Sequence, residues 1–192
     1  MTQSISFIKP KFRFAILLFY VLGSVACGTS GADKVGDWQI EFTPGSADYY
    51  AALHMLSKSS GEYKQMYAHD GKWNVNPNVP SPKTSIAKGD MRMQYVLPTI
   101  STLPTLNLYS GSTGQWEQFY LNAGEWLKND NFTQPNIGIT KADLNMEFIP
   151  ATSSALPGLI VTSGKTKEIE IFYFQDGQWL SLIHISEPTR PY

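Results

Sequence analysis

The sequence predicts an all-β protein built from a repeated four-stranded antiparallel unit. Three observations lead to that prediction: the chain aligns with itself without a gap at a shift of 53 residues, polar and apolar residues alternate within short segments, and a turn glycine precedes a tryptophan once per repeat. Alternation with a period of two is typical of half-buried strands, and a fixed period of this size is typical of repeat architectures. We expect copies at residues 33–85, 86–138 and 139–179, the third being truncated.

Six positions of the repeat hold the same residue in all three copies. An Asp opens each copy, and Leu, Ser, Tyr, Gly and Trp follow in that order. We interpret them as structural positions of the repeat. They are Asp37/Asp90/Asp143, Leu53/Leu106/Leu159, Ser57/Ser110/Ser163, Tyr67/Tyr120/Tyr173, Gly71/Gly124/Gly177 and Trp73/Trp126/Trp179.

Four strands are predicted within the third copy. They cover residues 143–149, 159–162 and 168–174, and the fourth begins at Trp179. Polar and apolar residues alternate in the first strand, whereas the third is rich in β-branched and aromatic residues. The glycine between the third and fourth strands predicts a tight hairpin, because such turns need positive φ. One repeat is therefore a four-stranded meander.

The third strand is apolar on both faces, which implies that each small sheet is covered on both sides. Ile169, Ile171, Phe172 and Phe174 show this pattern. Neighbouring repeats would provide the cover, as they do in a β-propeller, where four to eight such sheets surround a central channel. We therefore expect three blades of an incomplete propeller, and a stacked solenoid is the alternative.

The repeat resembles the FG-GAP/VCBS family of propeller repeats. The resemblance extends over residues 33–179 and is clearest in segments 142–145, 156–161 and 174–179. It implies an extracellular protein that binds partners. The acidic calcium loop of the family is absent, so calcium binding is not implied.

The N-terminal residues resemble a secretory signal. Basic residues precede an apolar run from Ala15 to Ala26, which is too short for a membrane span. Residues 1–26 are the predicted signal peptide and residues 27–32 a tether. Residues 25–28 resemble a bacterial lipobox, in which Cys27 would be lipidated, and ordinary cleavage after Ala26 is the alternative. We expect a secreted protein or a lipoprotein of the bacterial surface or outer membrane, whose membrane contact is a lipid anchor at Cys27.

The C-terminal residues 180–192 resemble the translation of a sequencing adapter. The segment from Leu180 to Arg190 matches such an adapter codon by codon, and Pro191 and Tyr192 fit a barcode that follows it. We interpret the segment as an artefact and use none of its residues as functional ones.

Side chains that bear chemistry are few. Asp143, Asn145 and Glu147 present three oxygens on one strand face and are a weak metal candidate, although Arg92 takes the place of Asn145 in the second copy. The repeated Asp is expected to cap a turn, and the repeated Trp to pack in the core rather than stack on a sugar. Beyond His184 in the adapter-like segment, His54 and His69 are the only histidines, and no cofactor or nucleophile motif occurs.

The predicted function is that of an exported, non-catalytic binding or scaffold module that forms the N-terminal fragment of a propeller. Its partner is a protein or a carbohydrate. Nucleic acid is excluded, because 15 basic residues are balanced by 16 acidic ones, for a net charge of −1. Two alternatives stay open. One is a propeller enzyme that acts on sugars and has its catalytic residues in further blades. The other is a lipocalin-like barrel, because Gly36-Asp37-Trp38 resembles the Gly-x-Trp motif of lipocalins.

Overall fold

A computed structural model describes residues 36–47, 49–98 and 102–185, with side chains described as far as Leu182. The predicted signal peptide, the tether and Cys27 lie outside these residues. The described part contains strands and no helix, so the all-β prediction is confirmed. The strands are β1 Trp38–Thr43, β2 Ala52–Ser57, β3 Tyr63–His69, β4 Lys72–Val75, β5 Met91–Val96, β6 Thr105–Ser110, β7 Trp116–Asn122, β8 Glu125–Lys128, β9 Leu144–Ile149, β10 Gly158–Ser163, β11 Ile169–Gln175 and β12 Gln178–Ile185.

These strands form three separate four-stranded sheets. The first sheet holds β1 to β4, the second β5 to β8 and the third β9 to β12, each in sequential order and fully antiparallel. Corresponding strands start 53 residues apart, as Trp38, Met91 and Leu144 do. The predicted meander is therefore confirmed. No helix in the described ranges has the length and apolar character that a membrane crossing requires.

Tight hairpins join the last two strands of each sheet. Asp70 and Gly71 both have positive φ, +52° and +71°, and the equivalent pairs at 123–124 and 176–177 share this conformation. Two central residues with positive φ define the turn whose twist matches that of the flanking strands. Glycine accepts this conformation without steric cost, which explains its presence in all three copies.

The hairpin of the third sheet ends at Gly177, which has a φ of +80°. A Cβ atom added there would meet no heavy atom within 4 Å, so the backbone conformation, rather than a lack of space, requires glycine. The prediction that the fourth strand begins at Trp179 is wrong by one residue. β12 begins at Gln178, directly after Gly177, because Gln178 already pairs with Gln175 across the two-residue turn.

Two apolar cores lie between adjacent sheets. The core between the first and second sheets contains Leu56, Tyr63, Met91, Met93, Leu106, Leu108, Phe119 and Trp126, with Val79 and Ile86 from the linker. The core between the second and third sheets contains Tyr109, Trp116, Leu144, Met146, Phe148, Leu159, Val161, Phe172 and Trp179, with Ile137 and Ile139 from the next linker. Each linker thus contributes apolar side chains to the core that it crosses.

Of the three sheets in the described residues, only the second is covered on both faces. The first and third sheets each have one face that no other sheet of the described residues covers, as expected for the two ends of an incomplete array. Met93 and Met146 are 1% and 3% exposed, whereas Ile40, at the same repeat position in the first sheet, is 49% exposed. The reason is that Ile40 points away from the second sheet, and no other sheet of the described residues lies on that side.

The last strand of the third sheet differs from its counterparts. β12 runs to Ile185, and its pairing with β11 shifts register between Ile171 and Phe172. Residues 180–185 of the adapter-like segment thus complete the sheet, and the rest of that segment lies outside the described residues. Leu182 occupies the position that Asn76 and Asn129 hold in the other two copies.

The lipocalin-like alternative is wrong. A closed up-and-down barrel requires hydrogen bonds from each strand to the next around one sheet. Here β4 does not pair with β5, and β8 does not pair with β9, because a linker carries the chain from one sheet to the next. Trp38 is an ordinary first-strand residue, paired with Ser57 on β2.

Candidate functional site

The first strands of the three sheets lie next to one another, β1 beside β5 and β5 beside β9, and we call this side of the sheets the inner edge. They are edge strands, so half of their backbone N–H and C=O groups have no partner in their own sheet. Polar side chains of the preceding sheet satisfy part of them. This arrangement links the sheets through hydrogen bonds as well as through the apolar cores.

Gln39 makes a paired contact with the second sheet. Its side-chain Nε2 donates to the carbonyl oxygen of Met93 at 2.8 Å, and its Oε1 accepts the N–H of Met93 at 2.9 Å. The amide side chain therefore mimics a neighbouring strand for one residue of β5. The contact gives hydrogen-bond partners to the N–H and C=O groups of Met93, which its own sheet leaves unpaired.

A second contact recurs at both junctions between sheets. Glu41 Oε2 accepts the N–H of Tyr95 at 2.7 Å, and Gln94 Oε1, one repeat later, accepts the N–H of Phe148 at 2.7 Å. Glu147 occupies the same repeat position in the third sheet and is exposed. The three side chains form one column, which we call the acceptor column (Glu41, Gln94, Glu147).

A cleft of about 230 Å³ lies along the inner edge, and we call it the inner-edge cleft. Oxygen-bearing side chains dominate its surface. Burial raises the pKa of Glu41, partly offset by the hydrogen bond from the Tyr95 amide. The Tyr109 hydroxyl donates to Asn145 Oδ1 at 2.8 Å, which orients the Asn145 amide at the cleft. The lining residues are Gln39, Glu41, Met93, Gln94, Tyr109, Asn145, Met146 and Glu147.

The three residues of the weak metal candidate, Asp143, Asn145 and Glu147, do not share one set of contacts. Asp143 forms an ion pair with Arg92, and Asn145 accepts the hydrogen bond from Tyr109. Only Glu147 of the three is without a protein partner in the described part of the chain. Among the described residues, no cluster of three or more His, Cys, Asp or Glu side chains could hold a metal ion.

The repeated Asp residues directly precede the first strands, and the carboxylates of Asp37 and Asp90 contact the turn between the second and third strands. Asp37 accepts hydrogen bonds from the hydroxyls of Ser57 at 2.6 Å and Ser59 at 2.8 Å, and from the Ser59 backbone N–H at 2.9 Å. The Ser57 hydroxyl holds the pKa of Asp37 below its ordinary value. Asp90 makes the same contacts with Ser110 and Ser112. Both carboxylates are therefore occupied in holding a turn.

The repeated aromatic residues lie within the sheets and between them. Trp126 and Trp179 are buried in the two cores, and Trp179 Nε1 donates to the carbonyl oxygen of Thr133 at 2.9 Å. Trp73 is half-buried on the uncovered face of the first sheet. Buried rings present no face to a sugar. The tyrosines of the repeat, Tyr67, Tyr120 and Tyr173, are half-buried on their third strands.

The repeated glycines lie away from the inner-edge cleft. Gly71, Gly124 and Gly177 are exposed in the hairpins between the third and fourth strands, and none of them lines the cleft. The carbonyl oxygen of Gly177 accepts a hydrogen bond from the Thr133 hydroxyl of the linker at 3.3 Å. The three glycines thus serve the hairpins.

The His54 side chain is fully buried and contacts polar side chains through both ring nitrogens. Its Nδ1 is 2.8 Å from the Tyr63 hydroxyl and its Nε2 is 3.2 Å from Thr43 Oγ1, and the ring stacks on Tyr95 of the next sheet at 3.5 Å between centroids. Burial lowers the pKa of His54 to about 4, so the ring is neutral at pH 7. His69 is exposed on β3.

Two buried glutamates, Glu117 and Glu170, hold the linkers and are not among the residues that the sequence pattern singles out. Glu117 accepts hydrogen bonds from the hydroxyls of Thr84 at 2.6 Å and Ser85 at 2.7 Å, and Lys128 lies 2.9 Å from it. Glu170, one repeat later, accepts the N–H of Gly138 at 2.7 Å. The available signal is a Glu in both copies within a strand that is otherwise mainly apolar or amide-bearing.

Comparison with known proteins assigns no family. A scan for protein families, a search of curated proteins and a search of solved structures each found nothing that matches this chain. The class that the fold defines is thus a repeated four-stranded antiparallel sheet protein.

Proposed function

We propose that the chain is an exported, non-catalytic binding or scaffold module whose three sheets are blades of a β-propeller. The observation that carries the proposal is the inner edge, where three equivalent first strands lie together around the cleft. First strands line the central channel in propellers, and ligands commonly bind where such strands converge. The resemblance to FG-GAP/VCBS repeats supports the same function.

The chemistry of the inner-edge cleft favours a neutral carbohydrate as the ligand. Carboxylate and amide oxygens accept hydrogen bonds from sugar hydroxyls, and the carboxylates of Glu41 and Glu147 oppose an anionic ligand. A cleft of about 230 Å³ suits a short saccharide. A protein partner needs on the order of 800 Å² of contact surface on each side, which extends far beyond this cleft.

Binding to an array of neutral and acidic oligosaccharides tests the proposal. We expect a neutral oligosaccharide to bind and Asn145→Ala to weaken its affinity at least about tenfold, since a lost hydrogen bond costs on the order of 1 kcal/mol and Tyr109 also loses its partner. Asn122→Ala is the matched control, because Asn122 is exposed on β7 and does not line the cleft. Binding that Asn145→Ala leaves unchanged, or an array without a single ligand, would contradict the carbohydrate proposal.

Export with a lipid anchor at Cys27 is the second part of the proposal, and the N-terminal sequence pattern supports it. We expect the full chain, expressed in a Gram-negative host, to incorporate a labelled fatty acid. Cys27→Ser should abolish the label, and Ser30→Ala should retain it. A mature protein that is released without label would show ordinary cleavage instead.

A further inference from the structure

We propose that the inner-edge cleft recognises the acetamido group of an N-acetylated amino sugar, through the backbone carbonyl of Met146 and the side-chain amide of Asn145. The inference rests on the proposed carbohydrate function and names the class of sugar. The chain itself provides the comparison, because an amide side chain covers one of two equivalent strand edges and leaves the other uncovered.

The backbone of Met146 faces the inner edge. Just before β9, the Asp143 carbonyl oxygen accepts the Gly164 N–H at 2.9 Å. In an antiparallel pair, residues bonded to the partner strand alternate with residues whose backbone groups face the other way. Met146 and Phe148 belong to the second set, and the Phe148 N–H accordingly reaches Gln94 of the preceding sheet. The N–H and C=O of Met146 therefore point towards the inner-edge cleft, which Met146 lines.

The equivalent edge of the second sheet binds an amide. Gln39 donates its side-chain N–H to the Met93 carbonyl oxygen at 2.8 Å and accepts the Met93 N–H at 2.9 Å. Met93 holds in β5 the position that Met146 holds in β9. The contact shows that a first-strand edge of this repeat accepts a planar group with an N–H donor and a C=O acceptor.

The Met146 edge has a different neighbour, because Arg92 stands where Gln39 stands one repeat earlier. The Arg92 guanidinium forms an ion pair with the carboxylate of Asp143. Within the described residues, the Met146 carbonyl oxygen thus lacks the amide partner that the Met93 carbonyl oxygen has. A ligand in the inner-edge cleft can supply that partner.

Tyr109 leaves one acceptor and one donor at this edge. Burial raises the pKa of Tyr109, partly offset by a hydrogen bond from the Met146 N–H, so this N–H already has a partner. The Tyr109 hydroxyl donates to Asn145 Oδ1 at 2.8 Å, which leaves the two N–H donors of Asn145 Nδ2 for a ligand. The cleft therefore presents the Met146 C=O and the Asn145 N–H, the complement of one secondary amide.

The acetamido group of a sugar fits this pair and the rest of the cleft. Its N–H would donate to the Met146 carbonyl oxygen, and its oxygen would accept a hydrogen bond from Asn145. A hydroxyl offers a single oxygen to both partners, whereas an amide offers donor and acceptor on separate atoms. The carboxylates of Glu41 and Glu147 remain for the hydroxyls of the sugar ring.

The test compares three disaccharides with the same linkage and ring configuration, built from N-acetylglucosamine, glucose or glucosamine. Calorimetric titration of the full chain should show that the N-acetylglucosamine disaccharide binds at least about tenfold more tightly than the glucose one, because two hydrogen bonds are added. Equal affinity for the glucose disaccharide overturns the inference and leaves the carbohydrate proposal intact. Equal or higher affinity for the glucosamine disaccharide also overturns it, since the carboxylates would then bind an ammonium group. Failure of every saccharide to bind removes both proposals.

Two substitutions of Arg92 test the role of the Met146 edge. Arg92→Gln adds the side chain that covers the equivalent edge at Met93, so it should lower the affinity for the N-acetylglucosamine disaccharide to that for the glucose disaccharide. Arg92→Met also loses the ion pair with Asp143 but carries no amide, so it should keep the preference. Thermal unfolding checks that both variants fold. The inference is wrong if the two folded variants show the same preference.

Discussion

The first and second sheets share a strand order and a repeat, yet the same positions are exposed in one and buried in the other. Ile40 on the first sheet and Met93 on the second are both apolar residues at the same place on an edge strand, and only Met93 has a sheet packed against it. The repeat therefore defines the strands and turns of each sheet, whereas the neighbouring sheet determines how much a side chain contributes to stability.

The largest expected effect comes from comparing the same Phe→Ala substitution on a covered sheet face and on an uncovered one. Phe148 is 7% exposed and Phe42 is 57% exposed at the same repeat position. We expect Phe148→Ala to lower the free energy of unfolding by about 3 to 5 kcal/mol, as buried Phe→Ala substitutions do. We expect Phe42→Ala to lower it by less than about 1 kcal/mol.

Urea unfolding followed by tryptophan fluorescence measures both changes, at a protein concentration where the chain is monomeric. Equal losses for Phe42→Ala and Phe148→Ala would contradict the expected difference between the two sheet faces. A Phe42→Ala loss that grows with protein concentration would show that Phe42 is buried when chains associate.

The next largest effect is a pH dependence of the stability that comes from His54, which is buried between the first and second sheets. Its pKa is lowered from 6.5 to about 4, so the unfolded state binds more protons between these two pH values. The stability is present above pH 6.5 and is lost as the pH falls towards 4. The expected loss from this group is about 3 kcal/mol.

Replacing His54 with Asn, the residue at this position in the second sheet, should remove that part of the pH dependence. His69→Asn should keep it, because His69 is exposed on the first sheet. Free energies of unfolding at a series of pH values between 4 and 7 provide the measurement. The interpretation fails if both variants lose stability with falling pH as steeply as the native chain.

The smallest expected effect concerns the linkers that precede the second and third sheets and that Glu117 and Glu170 hold. Lys64 stands in the first sheet where Glu117 and Glu170 stand in the others. Burial alone would raise the pKa of Glu117, but hydrogen bonds from Thr84, Lys128 and Ser85 lower it below its ordinary value. Glu117→Gln should therefore cost about 2 kcal/mol, since charged hydrogen bonds are lost.

Glu125→Gln is the control for the linker prediction, because Glu125 is exposed on β8. It should change the free energy of unfolding by less than about 0.5 kcal/mol. Hydrogen exchange at residues 84–86 adds a local readout, and Glu117→Gln should speed it. A Glu117→Gln variant as stable as Glu125→Gln would show that the linker is held by its apolar residues alone.

Most of the sheet architecture was predictable from the sequence, because alternation and turn glycines are local signals. The second strand was predicted at 159–162 and extends over Gly158–Ser163. The first strand was predicted to begin at Asp143, but Asp143 has a φ of +54° and precedes the strand, which begins at Leu144. The error is one residue, because a turn residue can continue a polar and apolar alternation.

The contacts at the inner edge were not predictable in the same way. Aligning the chain with itself compares residues 53 apart, whereas Glu41 contacts Tyr95 and Gln94 contacts Phe148, each 54 residues later. Equivalent residues share a column in the alignment, but residues that touch do not. The buried Glu117 was missed for a related reason, since its partners lie in a linker that the strand pattern does not describe.

The acceptor column also bears on how such a chain changes in evolution. Each repeat carries an oxygen acceptor on one face and, one residue further along the first strand, the amide that the preceding repeat needs. Duplication or loss of 53 residues therefore preserves every contact of this kind. A single inserted residue within Met91–Val96 would turn Tyr95 to the opposite face and separate its amide from Glu41. The unit that can be gained or lost is thus the whole repeat.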